Sequence, residues 1–144
     1  MTRRLARLSL LLALTMLLHG PASAQAASPE QTGAMRAVVE AQLAAFADDD
    51  AARAFSYAAP AIREMFGSPE RFLAMVRSGY PVVYRPATVT FLNPHRVEGQ
   101  WILGVHMTDA AGALWLAIYR LDLQPDRTWR ISGCDVQPAP GKMT

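Results

Sequence analysis

The feature that most constrains this chain is a change of period near Tyr80. Up to Gly79 the apolar residues recur at three- and four-residue intervals, and beyond it they alternate. The first spacing lines one face of a helix and the second one face of a strand. Helices therefore come first and strands after, which argues for an α+β domain. Its N-terminal helices are expected to pack on one face of a curved, mainly antiparallel four-stranded sheet.

Local signals punctuate the helical part. Ser28-Pro29-Glu30-Gln31 opens the first helix with an N-cap serine, a proline at the first helical position and a glutamine placed to close a capping box. Met35, Val38, Val39, Leu43 and Phe46 form its apolar stripe, leaving Arg36 and Glu40 to water. Asp48-Asp49-Asp50 stops this helix and offers a cap to a second, Ala51 to Tyr57, which Pro60 limits. Ser68-Pro69-Glu70 repeats the capping device for a third helix, which buries Phe72, Met75 and Val76 and ends at Gly79.

Four alternating runs follow, near Val82 to Leu92, Gln100 to Thr108, Ala113 to Leu123 and Trp129 to Gln137. Asp109-Ala110-Ala111-Gly112 and Gln124-Pro125-Asp126-Arg127 are turn sequences, so the last three runs are expected to form an antiparallel meander. One parity comprises Val89, Phe91, Trp101, Leu103, Val105, Met107, Trp115, Ala117, Tyr119, Leu121, Trp129 and Ile131, and it should meet the helices. The other carries Thr88, Thr90, Gln100, His106, Thr108, Arg120, Asp122, Arg130 and Ser132 and suits water. Leu114, Leu116 and Ile118 share this outer parity. They predict an apolar patch there, a candidate dimer interface.

The first residues read as an address. Arg3, Arg4 and Arg7 precede an apolar stretch from Leu8 to Leu18, and Ala22-Ser23-Ala24 supplies a small-x-small cleavage site. Residues 1–24 are therefore expected to be a secretory signal peptide and 25–144 a single exported domain, periplasmic or secreted. The apolar stretch is too short to span a bilayer, which takes about 20 residues, so no membrane span is expected after cleavage. Removing those three arginines from 14 basic residues leaves 11 against 12 acidic ones, a mature charge of about −1 that takes away the electrostatic case for nucleic acid. Cys134 is the one cysteine, so no disulfide forms within one chain.

Several strings taken in order resemble a known family: Phe46-Ala47-Asp48-Asp49-Asp50, Ala54-Phe55, Ala58-Ala59-Pro60, Met65 through Phe72, Met75-Val76, Tyr80 through Pro86, and Trp129-Arg130-Ile131-Ser132-Gly133-Cys134. Together they are similar to a bacterial family of uncharacterised exported proteins, domain of unknown function 4864. The resemblance covers nearly the whole mature chain. It implies the cone-shaped α+β fold of the nuclear transport factor 2-like group, whose sheets often pair in dimers. It implies no catalytic positions, because that family carries no assigned chemistry, and the cone hosts enzymes and binding modules alike.

The motifs themselves are sparse. His95, in a loop after Pro94, and His106, on the outer parity, have no companions at ligand spacing, so no metal is expected, and no cofactor is implied. The Asp48-Asp49-Asp50 run lacks the Gly and Glu of an EF-hand loop and reads as helix capping. Cys134, late in a strand, reads as a small buried apolar residue. Continuing the parity of Trp129 and Ile131 through Gly133 points Asp135 inward, toward Tyr119, unless a bulge at Gly133 reverses it. A desolvated carboxylate near a phenol is the arrangement needed for proton abstraction next to a carbonyl, as in ketosteroid isomerases. The Tyr80-to-Pro86 segment fixes a helix-to-strand connection or the lip of a pocket.

Two functions are thus expected to compete. One is a binding or interaction module, a homodimer holding a small apolar or amphipathic ligand or a periplasmic protein partner, with Tyr84, Trp101, Trp115, Tyr119 and Asp135 around the pocket. The other is a cofactor-free isomerase, dehydratase or hydrolase with Asp135 as base and Tyr119 or Tyr84 as donor.

Overall fold

The computed structural model describes residues 25–139; the expected leader over residues 1–24 lies outside them. Helix α1 (Pro29–Ala47) begins as its sequence dictates: the Ser28 hydroxyl accepts the Gln31 N–H at 3.1 Å and the Gln31 side chain accepts the Ser28 N–H at 3.0 Å. The chain turns at Asp49, whose φ is 53°, and the Asp50 carboxylate caps α2 (Ala51–Ser56) by accepting the Arg53 N–H. A third helix follows that the periodicity does not announce, α3 (Pro60–Phe66). Pro60 starts this helix at its first turn, and Gly67, at φ 74°, closes it. No residue of α3 is fully buried, and its short apolar set, Ile62, Met65 and Phe66, spans little more than one turn, too little to announce a helix on its own. Ser68 then caps α4 (Pro69–Gly79), as expected.

The first strand starts later than its alternation indicated. Pro81 to Tyr84 form a helical turn, α5, because adjacent Val82 and Val83 are both buried, which a one-sided strand cannot achieve. The strands are β1 (Thr88–Phe91), β2 (His95–Val97), β3 (Gln100–Thr108), β4 (Leu114–Leu123) and β5 (Trp129–Pro138). All pairings are antiparallel in the order β1-β3-β4-β5, with β2 on the same edge of β3 as β1. The sheet thus has five strands where four were expected. β1 and β2 act as one edge strand interrupted at Asn93-Pro94, and His95 lies in a strand and not in a loop. Glu98 and Gly99, both at positive φ, make the two-residue hairpin from β2 to β3.

Helices lie on one face of this open, curved sheet. The core forms where Met35, Val39 and Phe46 of α1 and Phe72 and Val76 of α4 meet Leu103, Val105, Met107, Ala117, Tyr119 and Leu121. The inner parity of β3 and β4 is therefore as expected. In β5 it changes: Leu121 pairs with Ile131 but Arg120 pairs with Gly133, leaving Ser132 as an extra residue in a bulge. Beyond the bulge Cys134 lies opposite Tyr119 and Asp135 opposite Ile118, so their directions are exchanged relative to the uninterrupted alternation.

Candidate functional site

One end of the core opens into a cleft. Between α3, α4 and β5 lies a cavity of about 360 Å³, at the small end of the range of about 300–1,000 Å³ typical of small-molecule sites. Phe46 of α1, Phe72 and Val76 of α4 and Val83 of α5 form its inner wall, and Ile62, Phe66 and the exposed Met65 of α3 line its outer side. Phe72 is central to the wall, with ring centroids of Phe46, Phe55 and Phe66 at 5.9, 5.5 and 5.7 Å. The sequence folds this way because α3, bounded by Pro60 and Gly67, is tied to the sheet only where its leading residue pairs with β5. Ala59 N–H donates to the Ile131 carbonyl at 2.8 Å and Ile131 N–H to Tyr57 at 2.9 Å.

Against this apolar wall stands a short set of polar groups: Gln42, Tyr80, Tyr119, Ser132 and Cys134. Gln42 is buried on α1 and donates to the Ala54 carbonyl at 3.1 Å. The Tyr119 hydroxyl, in a residue 1% exposed, has no hydrogen-bond partner, and neither does the buried Ser132 hydroxyl. Burial raises the Tyr119 phenol well above the usual tyrosine range, with the neighbouring Cys134 sulfur adding to the rise. That sulfur acts on the phenol as a nearby charge and as a close hydrogen-bonding neighbour, at a geometry short of a well-formed hydrogen bond. Cys134 is partly accessible, yet the groups around it desolvate the thiol and push it up to about 12, a rise that Tyr119 partly opposes. Both groups are protonated and neutral near pH 7, so the cavity offers hydroxyl and thiol protons and no nucleophilic thiolate.

The expected pocket residues are not gathered in one place. Tyr119 and Asp135 both border the cavity, but the inward orientation expected of Asp135 is corrected by the bulge. Its carboxylate lies on the outer face, its side chain 67% exposed, where it accepts a hydrogen bond from Arg120. Gly133 makes room for that pair, because a Cβ there would collide with the Arg120 guanidinium. The carboxylate and the Tyr119 phenol thus face opposite sides of the sheet.

Tyr84 and Trp115 border a different cleft, with Tyr80, Arg85 and Asp109. Tyr84 donates to Asp49, receives Arg77 at 3.1 Å and Arg85 at 3.2 Å, and has the Arg85 guanidinium 4.1 Å from its ring centroid. The Tyr84 hydrogen bond, then Arg77 and Arg85, hold Asp49 below the usual carboxylate range. Trp115 donates to Asp109 at 2.9 Å, and that bond heads the causes that lower the Asp109 pKa. Trp101 lies in a third, polar cleft, edge-on to Trp129 at 6.3 Å and 5.4 Å from Arg96. The groups around Tyr84 and Trp115 are thus hydrogen-bonded among themselves. Leu114, Leu116 and Ile118 lie on the outer face opposite Thr108, His106 and Gly104, and none belongs to the core.

Phe72, Met75 and Cys134 are expected in the core and line the cavity, whereas Gln42 and Ser132 are cavity residues that pattern reasoning passes over. Two signals point to them: a glutamine between Val39 and Phe46 on the apolar side of α1, and a Ser-Gly pair inside a strand. Among the described residues no group of three or more His, Cys, Asp or Glu is placed to hold a metal ion. No helix there is long and apolar enough to cross a membrane. The family described as Domain of unknown function (DUF4864) matches residues 28–144. No curated protein and no solved structure matches the chain.

Proposed function

This chain belongs to the family described as Domain of unknown function (DUF4864), and on that premise we propose that it is an exported small-ligand-binding module of the nuclear transport factor 2-like, cone-shaped type. The observation that carries the reading is the cavity between α3, α4 and β5, whose wall is apolar and whose inner end holds an unpaired, buried hydroxyl. A core of this size packs to crystal-like density unless a space is maintained, and concave apolar sites with few polar groups are where small molecules bind. The occupant is amphipathic, with most of its surface against Phe46, Phe66 and Phe72. Export is supported by the basic, apolar and small-x-small segments within residues 1–24.

The same reading pairs two copies through the outer sheet face. Leu114, Leu116 and Ile118, with Leu92 beside Gly104, support it as an apolar strip outside the core, flanked by His106 on β3 and Gln137 on β5. The acid–base alternative built on Asp135 draws no support from the outward placement of that carboxylate.

Native mass spectrometry on protein purified gently from the periplasm of its host tests the proposal. The expected spectrum is a dimer that begins at Gln25 and carries a reproducible extra mass, an adduct lost when Met75→Trp fills the cavity. Bare protein, unable to take up any added apolar compound, overturns the ligand-binding reading. Leu116→Asp is expected to convert the dimer to a folded monomer in sedimentation, and an unchanged dimer removes that face as the interface.

A further inference from the structure

We infer that the occupant of this cavity is an uncharged molecule that presents a carbonyl-type acceptor, which takes the hydrogen bond that the Tyr119 hydroxyl has left to give. The inference rests on the small-ligand reading of the cavity and adds the chemical class of what binds. Its basis is the inventory of groups around the space. Buried hydroxyls in folded proteins nearly always have partners, because one without them has lost its water and gained nothing. Here two at one site lack them, Tyr119 on β4 and Ser132 on the β5 bulge. A phenol is both donor and acceptor, but this one keeps its proton near pH 7, because burial opposes ionisation.

Charge decides what can meet it. The charged residues bordering the cavity are Arg120 and Asp135, which are engaged with each other on the outer face. The other polar groups around it are Gln42, Tyr80, Ser132, Tyr119 and Cys134, none of them a carboxylate, ammonium or guanidinium, and burial keeps the Tyr119 and Cys134 protons in place. A carboxylate or phosphate would enter without a counter-ion and an ammonium without a carboxylate, each at a large desolvation cost. A ketone, ester or amide oxygen carries no such cost and accepts from the phenol. The phenolic oxygen is closed off from water, so the acceptor reaches it as side chains of the wall move aside on binding.

Three probes on one skeleton test this: methyl naphthyl ketone, isopropenylnaphthalene of the same shape without the oxygen, and naphthoate. Calorimetric titration of the full mature protein should show the ketone binding, the hydrocarbon binding, and naphthoate at least tenfold weaker than the ketone. In Tyr119→Phe the ketone should lose about five- to tenfold in affinity, the value of one neutral hydrogen bond, while the hydrocarbon is unchanged. The ketone C=O stretch should move to lower wavenumber on binding to the wild type and less so in Tyr119→Phe. Ser132→Ala, read the same way, tests the second hydroxyl if Tyr119→Phe does not fold. An unshifted C=O stretch, equal ketone affinity in wild type and Tyr119→Phe, or naphthoate binding more tightly than the ketone overturns the inference while leaving the cavity as a binding site. Failure of all three probes to bind overturns the binding reading itself.

Discussion

The two ends of the one core differ in kind. Where α1 crosses the inner face of β3 and β4, Met35, Val39, Leu103, Val105, Met107 and Leu121 are fully buried and touch one another. At the α3 and β5 end the same sheet face meets a helix with no buried residue, and two hydroxyls are left without partners. The first end supplies stability, since each large apolar side chain buried there contributes roughly 1.5–3 kcal/mol. The second gives some of that up and keeps a space. A small domain retains such an unfilled, polar-tipped end where something else fills it, and that contrast is the ground for reading this one as a binding module.

Mutations should separate the ends, and the largest difference is in packing. Leu103→Ala is expected to cost about 2–5 kcal/mol in denaturant unfolding. Ile62→Ala on α3 should cost less than about 1 kcal/mol, because Ile62 is only partly buried, packing against the core on one side and bordering the cleft on the other. Equal losses would break the comparison. Cys134 sharpens it chemically: a thiol pushed up to about 12 should react with a maleimide far more slowly in the native protein than in the unfolded chain, and a compound that fills the cavity should slow it further. Native labelling as fast as unfolded labelling would show that the thiol is not held in that wall.

A smaller effect is expected at the surface cluster that joins the α1–α2 turn to α4 and α5. Asp49 has its pKa lowered in the folded state, chiefly by the Tyr84 hydrogen bond and then by Arg77 and Arg85. A lowered folded pKa means that this stabilisation is complete above the unfolded value near 3.8 and is lost as pH falls through the folded one. Asp49→Asn keeps a residue that tolerates the positive φ and should flatten part of the acid limb of the stability curve. Asp109 and Asp126, lowered likewise, would keep the rest. An acid limb of unchanged slope in the variant would remove Asp49 from that account. The smallest effect is the most telling: Tyr119→Phe should leave stability within about 0.5 kcal/mol of the wild type or raise it, since the hydroxyl has no bond to lose. A loss of 1 kcal/mol or more would mean that the phenol is already paired.

How far each end could be read beforehand follows the same division. The packed end was legible because its residues are periodic and apolar: the α1 stripe, the Ser28 and Ser68 caps and the parity of β3 and β4 all agree with the structure. The hollow end was not. Helix α3 fully buries no residue and is too short for the Ile62-Met65-Phe66 spacing to declare a period, and Pro60, which limits α2, begins it. The Val82-Val83 pair suits a strand by composition and is helical because both residues reach the core. One extra residue, Ser132, turns Asp135 outward and Cys134 inward, and a single-residue slip of this kind has no counterpart in hydrophobic pattern. Tyr119 was correctly placed on the inner face, but its lack of a partner depends on which side chains surround it in three dimensions.

The central claim is that one end of the core is solid and the other hollow, and xenon tests it most directly, because it enters dry apolar space and reports its position in a crystal. Under xenon pressure, density is predicted between α3, α4 and β5, against Phe66, Phe72 and Met75, and none between α1 and strands β3 and β4. Absence of xenon from the first region, or its appearance in the second, would contradict the account.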